Sequence, residues 1–274
     1  MPDIVIHVVA SAMYLGLAWH FWNTRWRRGA SRTPLGLRGW ERGAILVPLG
    51  VHAWLLYAGL FAASQLRFGF AQALSVMMFL GVVLYWVESL FYSLEGMEPL
   101  VLPLAAAAVP LPALFPGLAS SVAHAQATGF RLHLALAMIA YSLFVIALLH
   151  ATLMSVAERQ LHRKSTLAFT NLPPLLTLER LLFRVIAAAF VFLTLTLATG
   201  MVFSETLFGR AVRFDHKTVF AILSWLTFGL LLAGRWLYGW RGRTALRWTL
   251  TGFVMLLLAY VGSRFVLEVL LGKS

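Results

Sequence analysis

Cysteine is absent from the 274 residues, which excludes disulfides, thiolate metal sites, CxxC redox chemistry and thioether attachment of a cofactor to this chain. Charge is scarce as well: Asp, Glu, Lys and Arg make up 12% of the chain, against 61% hydrophobic residues and a mean hydropathy of +0.83. A water-soluble domain carries roughly a quarter charged residues, so lipid has to be the solvent here and no globular catalytic domain fits. Acids are the rarest, ten against 22 Lys and Arg. On a soluble fold the net charge of +12 would point to nucleic acid, yet the bases fall in the breaks between apolar runs, where they act as topology signals. The expected surroundings are membrane lipid, with no nucleic-acid partner.

What the chain does contain is one apolar run after another. Crossing the hydrocarbon core takes about 20 apolar residues per helix, and such runs cover 4–22, 44–63, 71–93, 99–117, 132–156, 183–203, 216–236 and 248–270. The expected fold is all-α, a polytopic membrane helix bundle of about eight transmembrane helices, forming a single integral membrane domain over residues 1–274. The first run has no basic stretch before it and no small-residue cleavage site, and it leads into Arg25, Arg27 and Arg28, so it reads as a retained helix. The fourth contains Pro103, Pro110, Pro112 and Pro116. These predict a kinked helix whose freed carbonyls are satisfied by neighbours, or a broken or re-entrant segment. The stretch Leu172 to Arg180 opens on a proline pair and reads either as a short interfacial helix or as the lead-in to the next span.

Placing the N-terminus outside puts fifteen of the 22 Lys and Arg on the inner side, among them Arg25, Arg42, Arg163 and Arg243. Because these residues resist translocation, both termini are expected outside. Trp22, Trp26, Trp40, Trp236, Trp240 and Trp248 then form an aromatic belt at the inner boundary.

Ionisable groups within spans are costly, which makes them the first candidates for function. Glu88 near the inner end of the third span is placed to snorkel, and Arg264 and Glu268, four apart, to pair. Histidine stands out, with eight residues. His133 opens the fifth span and His216 the seventh, which sets both at the outer lip, where two imidazoles could clamp a haem iron from opposite faces. His133, Ala137 and Tyr141 follow at i, i+4 and i+8, a face with a small residue between two rings. Arg131, Lys217, Arg210, Arg213 and Arg264 are available for carboxylates such as haem propionates. His52 and His150 lie at similar expected depths from the inner face and make a second possible pair.

The segments Leu132-His133-Leu134, Ala140-Tyr141-Ser142, Leu172-Pro173-Pro174-Leu175, Asp215-His216-Lys217-Thr218, Gly239-Trp240-Arg241-Gly242-Arg243 and Ala259-Tyr260-Val261-Gly262-Ser263 resemble the CcsA-like, HemX/YpjD branch of the cytochrome c assembly protein family. The resemblance spans about residues 130–270; Val51-His52-Ala53 is its one local echo upstream. It implies a protein that moves or holds haem, here non-covalent haem b, in a bacterial inner membrane, with His133 as the histidine that opens the outer haem site. Other cytochrome c assembly or membrane proteins would be its partners. The tryptophan-rich WGxxWxWDxxE tract of the full synthetases is missing; the corresponding region, from Phe208 to His216, contains no tryptophan. The expectation is therefore a haem-binding accessory protein and not an enzyme, with His216 in place of the family's second outer histidine. A small-molecule or ion permease lined by histidines, and a partner subunit without ligand, are the alternatives. A lumen-facing polar stripe would mark the permease, and the sequence shows only scattered polar positions.

Overall fold

In a computed structural model, residues 2–27, 37–61, 68–94, 96–116, 128–162, 174–208 and 215–270 are described. They form helices α1 (Pro2–Phe21, continued by a π-helical Trp22–Arg27), α2 (Gly39–Phe61), α3 (Phe70–Phe91), α4 (Glu98–Ala108), α5 (Leu111–Leu114), α6 (Thr128–His162), α7 (Leu175–Phe208), α8 (His216–Tyr238) and α9 (Gly242–Leu257). The last continues through π-helical Leu258–Gly262, Ser263–Phe265 and Val266–Leu270. No strand occurs among the described residues. Among the described residues, seven helices are long and apolar enough to cross a membrane, and a shorter apolar stretch, Glu98–Leu114, stands where the fourth span was expected. The chain is a polytopic helical membrane protein.

That shorter stretch is broken by its prolines, as one of the two readings anticipated, but it still runs the length of its neighbour. At one end Glu98 lies against Tyr85, late in α3. At the other, the Gln72 amide in the first turn of α3 donates to the carbonyls of Phe115 and Pro116 (3.4 and 2.8 Å). Tyr85 and Gln72 are thirteen residues apart, about 20 Å along a helix, so α4 and α5 together complete an eighth passage. Pro110 has no N–H for the Ala106 carbonyl. The Ser11 hydroxyl on α1 donates to that carbonyl instead (2.8 Å), and the His7 ring bonds the Val109 carbonyl (2.7 Å). Neighbouring side chains thus satisfy the groups that the prolines release, which is what lets such a helix exist in lipid.

The same contacts orient the bundle. His7, near the start of α1, meets the end of α4, while Tyr260 donates to the Phe68 carbonyl (3.4 Å) and Phe265 packs on Phe70 (5.3 Å between rings) just before and at the start of α3. The beginning of α1 and the end of α9 therefore lie on one face, called the near face below. Trp22, Trp26, Trp40, Trp236 and Trp240 fall at helix ends on the opposite, far face, and Trp40 and Trp236 are exposed.

Leu175 to Arg180 form the first turns of α7 without a break, so the described part of this stretch is the lead-in to a span; Leu172 and Pro173 lie outside the described residues. Glu179 there binds Arg235 at the far end of α8, whose guanidinium also lies 4.7 Å over the Phe183 ring. Gly239, in the left-handed region at φ 67°, stops α8 and lets Trp240 fold back onto Gly234, where a Cβ would collide with the indole. Farther along the same hairpin the Ser224 hydroxyl donates to the Gly252 carbonyl (2.8 Å), and Phe228 sits against Gly252 while stacking on Phe144 of α6 (3.8 Å).

Candidate functional site

His133 lies on the first two turns of α6, half-buried in the seam with α7. Its Nδ1 is 3.2 Å from the Thr199 hydroxyl, and its Cε1 edge occupies the space beside Gly200, where a Cβ would come within 3.2 Å. Thr199 has one hydroxyl proton and uses it on backbone carbonyls, those of Leu195 (2.8 Å) and Thr196 (3.1 Å). With the hydroxyl proton on either carbonyl, the threonine oxygen accepts from the ring, an arrangement that puts the ring proton on Nδ1. The Thr196 carbonyl beside the ring is a second acceptor for a ring N–H. Nε2 keeps its lone pair and has no hydrogen-bond partner among the described residues. A neutral imidazole anchored through Nδ1–H with Nε2 bare is the form that ligates metals.

The other outer candidates gather at the same face without forming one cluster. Arg131 lies exposed near the start of α6, and His216 exposed at the start of α8. Lys217 is half-buried, within electrostatic reach of Arg264 on α9 and of Asp215. Asp215 caps α8, accepting from the Thr218 N–H (3.0 Å) and hydroxyl (3.1 Å). Partial burial opposes its ionisation, but these bonds and the Lys217 charge hold its carboxyl below the usual range. Arg210 and Arg213 lie outside the described residues. Arg264 and Glu268 do not pair. The guanidinium lies 5.9 Å over the Tyr260 ring, and the Glu268 carboxylate rests against Gly69, whose missing Cβ makes room for it.

Tyr141 donates to the Leu256 carbonyl (2.6 Å) where α9 changes to π-helix. A widened helical turn leaves its carbonyls open to such a donor, and the phenol ties α6 to α9. Ala137, the small residue expected to leave a gap, is itself buried. Neighbouring helices close that gap.

The deep histidines are not brought together. His52 bonds Ser75 through Nε2 (2.9 Å) and Tyr14 through Nδ1 (3.4 Å), whereas His150 faces Glu88 (3.5 Å). Ser75 and Glu88 are thirteen residues apart in α3, so their partners sit at levels about 20 Å apart. The expected match in depth does not hold: measured against α3, His150 stands near its far end at Glu88 and His52 well inside at Ser75. Two features escaped the sequence reading. Glu88 turns inward onto His150 instead of snorkelling, and Thr199, one of several span threonines, orients His133. Contacts between residues 62 and 66 positions apart leave no periodic trace.

The family described as cytochrome c assembly protein matches residues 44–271. Over 150 residues the chain is 35% identical to the inner membrane protein YpjD of Escherichia coli K12, covering 54% of this chain and 56% of YpjD. It is 28% identical over 151 residues to the cytochrome c biogenesis protein CcsA of Guillardia theta, covering 49% of this chain and 50% of CcsA. The chain spans about half the length of these curated relatives, and no solved structure matches it. Since the family match extends over most of its length, the chain belongs to the cytochrome c assembly protein family.

Proposed function

We propose that this chain is a haem-handling protein of the bacterial inner membrane, accessory to cytochrome c assembly or haem homeostasis, which holds haem b non-covalently at the near face. The observation that carries this reading is the setting of His133: half-buried at the near face, with Nδ1 held 3.2 Å from the Thr199 hydroxyl and no hydrogen bond to Nε2 among the described residues. Haem would supply an iron and a pair of carboxylates. His133 and His216, the latter exposed at the start of α8, would hold the iron. Lys217 and Arg264, with Arg131, would meet the propionates, to which arginine forks and ammonium groups bind strongly at a half-dry boundary. Tyr141 would hold α6 against α9 behind the site. With both axial positions filled by imidazole, no position is left for oxygen chemistry, which suits holding haem and not transforming it. The missing tryptophan-rich tract supports the same non-catalytic reading, and one integral membrane domain is the simplest unit to carry it. Lipid, haem and other assembly proteins are the proposed partners.

A permease finds less support, since His52 and His150 stand at separate levels in separate seams. The test is haem content of purified variants. His52→Ala and His150→Ala are expected to retain most of the haem that the parent protein carries, with only His133→Ala losing it. Loss confined to the deep variants would place the ligand elsewhere.

We further propose that the near face is the outer one, from the distribution of Lys and Arg. Natural absence of cysteine makes the check simple. Single cysteines at Ser31, Ser165 and Thr244 should resist an impermeant thiol reagent in intact cells and one at Ser204 should react; the reverse pattern would turn the bundle over.

A further inference from the structure

In the seam between α3 and α6, near the far face, two atoms that normally seek hydrogen bonds have none. The His150 Nε2 and the Glu88 Oε2 are shut off from solvent, each without another partner, and face one another at 3.5 Å. His150 is fully buried, while the Glu88 side chain keeps 17% of its surface exposed. The second ring nitrogen, Nδ1, is 2.9 Å from the Ile146 carbonyl. A carbonyl only accepts, so a proton is fixed on Nδ1 and cannot serve Nε2. If nothing further were bound, a bare nitrogen lone pair would oppose a bare carboxylate in lipid-like surroundings, an unpaired buried charge of the kind that costs several kcal/mol.

We propose that Glu88 and His150 form a single-proton site, one that the haem reading does not use. The proton lies between Oε2 and Nε2. When it resides on glutamate, both groups are neutral; when the O–H bond breaks and the N–H bond forms, carboxylate and imidazolium remain as a pair. The sum of charge is zero in both arrangements, so the transfer creates no net charge in the membrane. Its path ends at His150, because the Nδ1 proton faces a carbonyl that cannot take it. The site therefore stores a proton taken up through Glu88, which keeps part of its side chain exposed while His150 has none, and does not conduct it across the bundle.

Other charged groups near this end of the seam are engaged or face away. From α2, Arg42 donates to the Ser89 carbonyl (3.1 Å); from α7, Arg184 reaches the Tyr92 hydroxyl (3.2 Å). On the α4 side Glu98 lies against Tyr85 and accepts from the Gly96 N–H (3.0 Å). Arg243 and Arg247 at the start of α9 are exposed, and Glu158, two turns farther along α6, approaches Gly242. None of them supplies the counter-charge that a deprotonated pair would need.

The bound proton joins α3 to α6, so its loss at high pH should loosen that seam. The full-length protein in detergent is followed by thermal unfolding against pH, by infrared difference spectra of the carboxyl region and by nitrogen NMR of the labelled His150 ring. The parent protein is expected to show one shared proton, seen either as a protonated Glu88 carboxyl with a neutral ring or as a carboxylate with a doubly protonated ring, and to lose stability as that signal titrates away on the alkaline side. Glu88→Gln places a permanent N–H donor opposite Nε2. It should keep the stability of the neutral-pH parent and abolish both the alkaline loss and the infrared signal. Glu88→Ala removes the donor and should be less stable at every pH. A carboxylate facing a neutral ring at neutral pH, two protons on the pair, or a Glu88→Gln protein as unstable as Glu88→Ala would each overturn the proposal.

Discussion

His133→Ala is expected to cost the protein most of its haem. On the proposed reading the substitution removes one of the two histidines that would hold the iron, while the helix itself should survive, because the ring is only half-buried and alanine is the best helix former. Residual haem, held by its other axial group and its carboxylates, should turn from low-spin to high-spin. A smaller effect of the same origin is expected when the tautomer alone is disturbed. Thr199→Val keeps the shape but deletes the oxygen that accepts from Nδ1; outer-shell partners of metal-bound histidines are worth about 10–100-fold in affinity, and Thr199→Ser should restore most of it. If Thr199→Val left affinity unchanged while His133→Ala abolished it, the ligand would stand and its proposed orienting group would not.

Glu41→Ala should be the most destabilising substitution outside the apolar core. Glu41 is 2% exposed at the far-face start of α2, and one carboxylate there serves three donors. Oε2 accepts from Arg25 Nη2 (2.8 Å) and from the Arg38 N–H (2.8 Å), and Oε1 lies 3.3 Å from His20 Nε2. The Arg38 bond reaches back three residues from the first turn, as a capping glutamate does, and the other two tie the end of α1 to α2. Deleting the carboxylate takes an acceptor from the Arg25 guanidinium, whose side chain is 9% exposed, and opens a cavity beside it. Removing one member of a buried pair costs about 3–5 kcal/mol, so thermal unfolding in detergent should shift down strongly, whereas Glu41→Gln, which still accepts one bond, should lose less. An unshifted transition for Glu41→Ala would mean that the network contributes nothing to the packing of α1 on α2.

Which parts of this were legible beforehand follows from the range of the interactions. Helix placement comes from local composition, and the apolar runs located seven long helices to within a few residues at most ends and the eighth, proline-broken passage as well. Far-face tryptophans and the rescue of proline-freed carbonyls were likewise readable, because both are general demands of a bilayer. Helix ends were read poorly wherever polar residues continue a helix beyond the lipid, as α6 does to His162 and α7 does from Leu175. Depths counted along separate helices do not translate into a common level, because the helices extend unequally past the bundle, and the His52–His150 pairing failed for that reason. Side-chain partners were mostly hidden. His133 was singled out by its position and context, but the Thr199 oxygen that sets its tautomer and the Glu88 carboxyl that turns onto His150 depend on how α6 packs on α7 and α3, which no spacing in the sequence records.

The central claim is that haem sits at the near face with histidine on both sides of its iron. The most direct measurement is the absorption spectrum of the full-length protein purified from haem-replete cells, oxidised and then reduced, beside that of His133→Ala. A six-coordinate, low-spin b-type spectrum in the parent protein that disappears or becomes high-spin in His133→Ala is the expected result; folded parent protein that takes up no haem, or a spectrum indifferent to His133→Ala, would contradict it.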